Sequence, residues 1–554
     1  MGDMRDTDDD LSAGRNRGNG RDYQLASSQF AASAYFLGAA ILAAVLLYTL
    51  IHPVAVVSFQ RDIWHHLAVF DELLRSPFFA ENPHIASDDP SRSYTPWAVF
   101  IALIGGYFDL DAFGALALAG GITVFALLVS IFLFARRYWQ SLWAPVALLF
   151  TLFATWGVPV NHTGYHTLTT FVFSIAYPFG IVLAMGFFSW WLVLKTLAAS
   201  SLNIIYIAFL VALSFGLFVT HQLQGLFAVG AAMGFALFAA EARIMRRLIT
   251  VLALVCGLAA SQYWWYFDPV AYILDPNVRK GHNDERFLSY SLENSGLIFN
   301  TIGLAWFGLL GLRLKSLGRL RLELAIPLVV LAAGFIMLLG NGNWVATRVM
   351  PFIVLFLQMG LVSYFFQPLS ENRPPVVADV FRGCLITVMG FMLIINVQDA
   401  WQNYNRAQGF LDSGDITQQP RTWSPDILPA MAFAETLAPR GATAIAYRQT
   451  AFPVEASTLK VVSIPRLFAE VADMQERQSA TETFFTAETD LATRCEILTR
   501  YDVSLIVYHG RWLDDPVQAE LAILGTPTQV GDLFFIEADT LAEDQIRFSS
   551  CEPS

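Results

Sequence analysis

Apolar residues arrive along the chain in blocks separated by short polar connections. Ala31 to Leu50, Phe113 to Phe134, Phe171 to Leu194 and Ile204 to Val219 each approach the length that crosses a hydrocarbon core of roughly 30 Å at about 1.5 Å per residue. Such blocks recur near 31–52, 112–134, 140–157, 170–194, 203–219, 223–240, 247–264, 296–312, 323–340, 349–366 and 379–397, which predicts about 11 transmembrane helices. Basic residues orient them. With the N-terminus inside, the interior segments collect Arg136 and Arg137, Lys195, the Arg243, Arg246 and Arg247 cluster, the stretch from Arg313 to Arg321, and Arg373. An odd number of spans then puts the C-terminal region outside. Pro96 to Phe108 is apolar but short for a span, and a crossing there would invert the charge pattern downstream. It is expected to be a juxtamembrane helix on the outer face.

The two ends differ from this pattern. Residues 1–30 are rich in Gly, Asp and Arg without apolar periodicity and read as a disordered cytoplasmic tail. The membrane domain is expected over 31–397, with a first outer loop at 53–111. Beyond it, 398–554 alternates helical and extended patterns: a helix at Ile427 to Leu437, strands at Ala442 to Tyr447 and Leu459 to Ile464, a helix from about Thr486 to Tyr501, and strands at Val503 to Tyr508 and Leu533 to Glu537. This predicts a small extracytoplasmic α/β domain. It contains no G-x-G-x-x-G and no Walker motif.

Composition sharpens the class. The 554 residues are 55% hydrophobic and only 14% charged, with a mean hydropathy of +0.49. That excludes a wholly soluble protein, a disulfide scaffold, a coiled coil and a nucleic-acid binder as descriptions of the whole. The net charge of −12 is local, because residues 397–554 hold 23 acidic against 11 basic residues and the rest is neutral. Of four cysteines, Cys256 and Cys384 lie in apolar runs and read as small core residues. Cys495 and Cys551 both fall in the tail domain, where an oxidising compartment would pair them as a disulfide.

The first outer loop carries the densest chemistry. Asp62, His65, His66 and Val69 recur at helical spacing on one face, opposite Ile63, Leu67, Phe70 and Leu74. A carboxylate and two imidazoles at a membrane surface can deprotonate a hydroxyl or coordinate a divalent cation, though such a face also suits a plain interfacial helix. No metal ligand set is assigned, and the sequence does not require a cofactor. Asp109-Leu110-Asp111 looks like a D-x-D motif but sits at a helix start, where N-capping is the better reading. Other outer segments add Asn161, His162, Tyr165 and His166, then His221, Gln222 and Gln224, then Asn341, Asn343, Trp344 and Arg348. Arg348, at the outer end of a span, can snorkel to headgroups or hold a phosphate through its planar fork. The polar loop 265–295, with Lys280 and His282, could lie over the same face.

An anchor helix, an outer loop opening with Asp62-x-x-His65, a juxtamembrane segment with Tyr94-Thr95-Pro96-Trp97, and a span ending in Ala135-Arg136-Arg137 together resemble the GT-C superfamily. These are integral membrane glycosyltransferases that use polyprenyl-phosphate-linked sugars, and the resemblance extends to a C-terminal α/β domain after the last span. It implies that Asp62 is the general base, although Ile63 stands where many members carry a second acidic residue. It implies that Arg348, with help from Lys280 or His282, contacts the donor phosphate. His65, His66, Tyr94, His166 and His221 are the further substrate-cleft candidates, and His221 lies where members often carry a histidine. The implied partners are a polyprenyl-phosphate sugar donor and the lipid bilayer, and the implied place is the cytoplasmic membrane. The rival readings are a transporter, which would place charges or broken helices near the bilayer midplane, and a non-catalytic scaffold of an envelope polysaccharide export system.

Overall fold

The computed structural model describes residues 29–48, 62–89, 91–157, 164–238, 242–274, 300–314, 319–341, 343, 345–366, 375–413, 427–465, 471–541, 545–548 and 551. The helical part runs through α1 (Gln29–Tyr48), then α2 (Asp62–Arg75), α3 (Pro96–Tyr107), α4 (Ala112–Trp139), α5 (Ala144–Ala154), α6 (Leu168–Ser174) and α7 (Pro178–Ala198). It continues with α8 (Ile204–Thr220), α9 (Gln222–Phe238), α10 (Ile244–Ala260), α11 (Pro269–Leu274), α12 (Leu322–Gly340), α13 (Ala346–Phe365) and α14 (Pro375–Ser413). Among the described residues, 7 helices are long and apolar enough to cross a membrane.

Each of the eleven apolar blocks contains helix, but not all as one full span. The 140–157 block holds only the 11 residues of α5; α8 and α9 have 17 each; the 296–312 block contains the 3₁₀ segment Gly303–Gly311. The 170–194 block is two helices, because Pro178 opens α7 at its first turn and Tyr177 before it is extended at ψ 158°. The short segment expected at Pro96 to Phe108 is α3, capped by the Thr95 hydroxyl and begun by Pro96. Asp111 caps α4 by accepting from Gly114 N at 2.7 Å. Helix α14 runs for 39 residues, roughly 58 Å at 1.5 Å per residue, so it extends well beyond a hydrocarbon core.

Two expectations about cysteines part ways. Cys495 and Cys551 are disulfide-bonded. Cys256 and Cys384, expected in the core, are exposed. In a membrane bundle an apolar run also faces outward, so an apolar neighbourhood in sequence does not mean burial among side chains.

Backbone proximity holds the bundle together at one seam. A Cβ on Gly308 would stand 1.7 Å from Leu357 O, one on Gly311 1.7 Å from Gly360 O, and one on Gly360 2.4 Å from Gly308 O. The 3₁₀ segment thus lies directly on the α13 backbone, as small residues allow between membrane helices. Gly308→Val is expected to force the two apart and cost about 3 kcal/mol or more. A lowered thermal midpoint and loss of the monodisperse peak on size exclusion would register it; a variant as stable as wild type would contradict the seam.

The tail domain begins its described part with α15 (Ile427–Leu437), followed by β1 (Thr443–Ala446), α16 (Ala451–Ala456), β2 (Lys460–Val461), α17 (Met474–Phe484), α18 (Leu491–Arg500), β3 (Val503–His509), α19 (Asp515–Leu521), β4 (Thr528–Val530) and β5 (Leu533–Glu537). The sheet order is β2-β1-β3-β5-β4, with β1 parallel to β2 and β3 and the last two strands antiparallel. Helix α18 starts later than the expected Thr486, where the Asp490 carboxylate accepts from Thr493 N. Strand β3 is buried along its whole length: Leu505 and Val507 join the core shared with the helical bundle, whereas Ile506 and Tyr508 pack in a second core under α18 and α19. The sheet is therefore covered on both faces, one of them by α15 and α16, and α16 in turn packs on α2.

Candidate active site

Helix α2 begins at Asp62, whose carboxylate suits the positive end of the helix dipole. One turn on, His66 is half-buried and its ring sits 4.4 Å from that of Tyr177, just before α7. Asp62 and His66, at i and i+4, share a face of α2. His221 ends α8. Burial, then the positive charges of Arg348 and Arg92, push its pKa down to about 3, with His66 adding a smaller effect in the same direction. Its imidazole is thus neutral at physiological pH and offers hydrogen bonding without charge.

Arg348, in the first turn of α13, is half-buried. It stands against Gly164, whose φ is +103° and where a Cβ would come within 3.0 Å of Arg348 Nη1 and 2.8 Å of Gln224 Nε2. Gly164 O accepts from that Gln224 amide at 3.3 Å. Only glycine fits this turn, both for its backbone angle and for the space the guanidinium occupies. Tyr165, buried next to it, feels the Arg348 charge. Arg92 lies over the Tyr272 ring at 4.7 Å. Asp62, His66, His221 and Arg348 are thereby carried by three elements: α2, the C-terminal end of α8 and the first turn of α13.

Behind Gly164 a void of about 10 Å³ lies between α7 and α13, polar at Gly164, His166 and Gln224 and apolar at Val182, Pro351 and Leu355. His166 is buried, with Nε2 2.9 Å from Gln358 Oε1, and burial lowers its pKa to about 4. Gln358 in turn donates to Thr155 Oγ1 at 2.9 Å.

Helical spacing grouped His65 with Asp62 and His66, but the side chain points elsewhere. His65 stacks on His84 with centroids 3.7 Å apart and stands 3.8 Å from Glu455 of the tail domain. Tyr94 is also directed into packing: its hydroxyl donates to Glu81 O, its carbonyl accepts from Trp264 Nε1 at 2.7 Å, and its ring meets Tyr266. Lys280 and His282 lie outside the described residues.

The tail domain grips the first loop tightly. Edge strand β2 is extended by Ile85, which bridges Val461 in parallel, with Val461 N donating to His84 O at 2.9 Å and Ala86 N to Val461 O at 3.2 Å. Buried Lys460 reaches Glu72 of α2 at 3.2 Å and donates to Asn82 O. Burial lowers its pKa, with Glu72 acting against that. Arg440 pairs with Asp71, and Ala472 N donates to Asp89 Oδ2 at 3.3 Å. None of these tail residues was singled out by the sequence, where they read as ordinary charges of an acidic domain.

The architecture is that of a multi-pass membrane protein whose first loop is pinned between a helical bundle and an α/β tail domain. The chain has the GT-C fold. It superposes on the Archaeoglobus fulgidus oligosaccharyltransferase with a TM-score of 0.51 at 11% identity, covering 86% of this chain and 69% of that one. The arabinofuranosyltransferase AftD from Mycobacteria gives 0.56 at 14% identity, with 91% of this chain but 40% of AftD covered. ArnT from Cupriavidus metallidurans gives 0.52 at 12% identity, with 91% and 98% covered. No protein-family model matches the sequence, and no curated protein sequence does.

Proposed function

We propose that the protein is a glycosyltransferase that moves a sugar from a polyprenyl-phosphate donor to an extracytoplasmic acceptor, with inversion at the anomeric carbon. The observation that carries this reading is the seat of Arg348 against Gly164 and beside His221, in a chain with the fold of membrane glycosyltransferases. A guanidinium in the first turn of an apolar membrane helix fits a phosphate with a hydrocarbon tail.

In the reaction, the acceptor hydroxyl oxygen bonds to the anomeric carbon as the bond from that carbon to the phosphate oxygen breaks. The leaving polyprenyl phosphate keeps the electron pair, and Arg348 offsets its growing negative charge in a partly dehydrated site. Asp62 takes the hydroxyl proton. A single base with no enzyme nucleophile gives one displacement, hence inversion. His221, neutral and beside Arg348, is suited to hold a sugar hydroxyl. Lys280 and His282 are proposed to assist at the phosphate. In this reading the site and the tail domain lie on the extracytoplasmic side of the cytoplasmic membrane.

Purified protein in proteoliposomes, given polyprenyl-phosphate sugars of defined anomeric configuration and a panel of acceptor glycans, tests the reading. The expected product carries the opposite configuration by NMR and appears only with donor and acceptor together. Retained configuration would remove the single-displacement mechanism. Solute accumulation inside vesicles without transfer would replace the enzyme with a carrier.

A further inference from the structure

We propose that the recess at the C-terminal end of α4 is a binding site for an anionic phospholipid of the bilayer. The recess holds about 540 Å³ and is walled by Leu133, Arg136, Arg137, Gln140, Leu142 and Trp191, a size within the roughly 300–1,000 Å³ of sites that hold small molecules. It is separate from the site at Arg348. Trp139, the last residue of α4, donates to Ser363 Oγ near the end of α13 at 2.9 Å, whereas Arg348 lies in the first turn of α13. Positions 348 and 363 are roughly 22 Å apart along that helix at about 1.5 Å per residue.

Three cations meet at this end of the bundle without a carboxylate to match them. Arg136 and Arg137 are both exposed. Arg136 lies over the Phe132 ring at 6.0 Å, and neither guanidinium has an ion pair or a side-chain hydrogen bond among the described residues. Lys195, one turn beyond Trp191 on α7, holds its ammonium 4.8 Å from the centre of that indole and 5.0 Å from the Tyr206 ring. No acidic residue lines the recess. Glu323, which Tyr138 of α4 reaches at 2.7 Å, already faces Arg321 at 3.9 Å. The C-terminus of α4 itself carries only about half a negative charge, so a surplus of positive charge is left for an anion.

The helix face beside the recess selects a lipid over a soluble anion. Phe125, Val129, Leu133 and Arg137 follow one another at four-residue spacing on α4, which makes them one ridge. Phe125 is 69% and Val129 39% exposed. From Arg137 to Phe125 the ridge is roughly 18 Å long, against about 15 Å for half of a hydrocarbon core of roughly 30 Å. A phosphodiester held by the two arginine forks therefore lays its acyl chains along an apolar ridge as deep as one leaflet. A free phosphate would use the arginines and leave the ridge without a role. With Lys195 as a further point charge, the headgroup joins α4 to α7, in the manner of basic pockets between membrane helices that take anionic headgroups. None of this uses the transfer mechanism.

The test is native mass spectrometry of the full chain released from detergent after addition of dioleoylphosphatidylglycerol, dioleoylphosphatidylcholine or glycerol phosphate, with thermal midpoints measured alongside. One phosphatidylglycerol per chain is expected to stay bound and to raise the midpoint, with little retention of the choline lipid and none of glycerol phosphate. Arg136→Gln with Arg137→Gln is expected to weaken phosphatidylglycerol binding about 30-fold, the effect of two basic residues on an anionic headgroup. Arg500→Gln with Arg511→Gln removes the same charge from the tail domain and should leave binding unchanged. If the first pair fails to insert, Arg136→Lys with Arg137→Lys keeps the charges that orient the span and should still bind several-fold more weakly, because the planar forks are gone. Equal retention of the choline lipid, undiminished binding in whichever α4 double variant folds, or glycerol phosphate bound as tightly as the lipid would each overturn the site; these need no transfer assay and leave the proposed reaction untouched. Displacement of phosphatidylglycerol by an equal amount of polyprenyl phosphate would overturn it as well, and would count against Arg348 as the donor seat.

Discussion

Asp62→Asn is expected to lower transfer by about 1,000-fold with little change in stability, because it removes a proton acceptor while keeping size and polarity. The first residue of α2 is half-buried and lies at the helix N-terminus, so the lost charge weakens the helix by only about 0.5–1 kcal/mol. Rate and thermal midpoint therefore separate. The loss should fall on kcat, since the carboxylate acts as the hydroxyl proton leaves and adds little to donor binding. His66→Ala, one turn away on the same face, is expected to have a smaller effect, as its ring packs on Tyr177 and takes no proton in the proposed step. Full activity in folded Asp62→Asn would remove this residue from the chemistry.

Arg348→Ala should reduce turnover by about 100- to 1,000-fold, the range seen when a group that stabilises developing negative charge is deleted from a dry site. Arg348→Lys is expected to recover only part of it. An ammonium supplies the charge but not the planar pair of donors, and it cannot fill the seat bounded by Gly164 and Gln224. Removing the guanidinium also relieves the charge that holds down the pKa of His221, which Arg348 lowers more than Arg92 does. In Arg348→Ala the His221 pKa should accordingly rise, seen by NMR titration of that imidazole, while burial still keeps it below its ordinary value. Equal transfer by wild type and Arg348→Ala would show that the phosphate is held elsewhere.

Much of the architecture was readable from periodicity and capping. The apolar blocks located the helices, Asp111 marked a helix start by its capping chemistry, and Leu533 to Glu537 is strand β5 as expected. Span lengths were less readable, because Pro178 divides one block and the 296–312 block contains 3₁₀ structure lying on α13. Within the candidate site, helical spacing brought Asp62 and His66 together but could not turn His65 toward the tail domain. That depends on Glu455 and on His84, which sit in a tail helix and in a loop of turn-forming residues. Glu72 and Lys460 were hidden for the same reason: a charge pair made by docking two domains leaves no local pattern. Gly164 carried a signal only in retrospect, since its role comes from the positive φ and from Arg348 occupying the space a Cβ would need.

The most direct test of the central claim is a cryo-EM map of the protein with a non-transferable polyprenyl phosphate. Phosphate density is expected within hydrogen-bonding reach of the Arg348 guanidinium. Polyprenyl phosphate density instead in the basic recess lined by Arg136, Arg137 and Gln140 at the far end of α4, with the Arg348 seat unchanged, would contradict it.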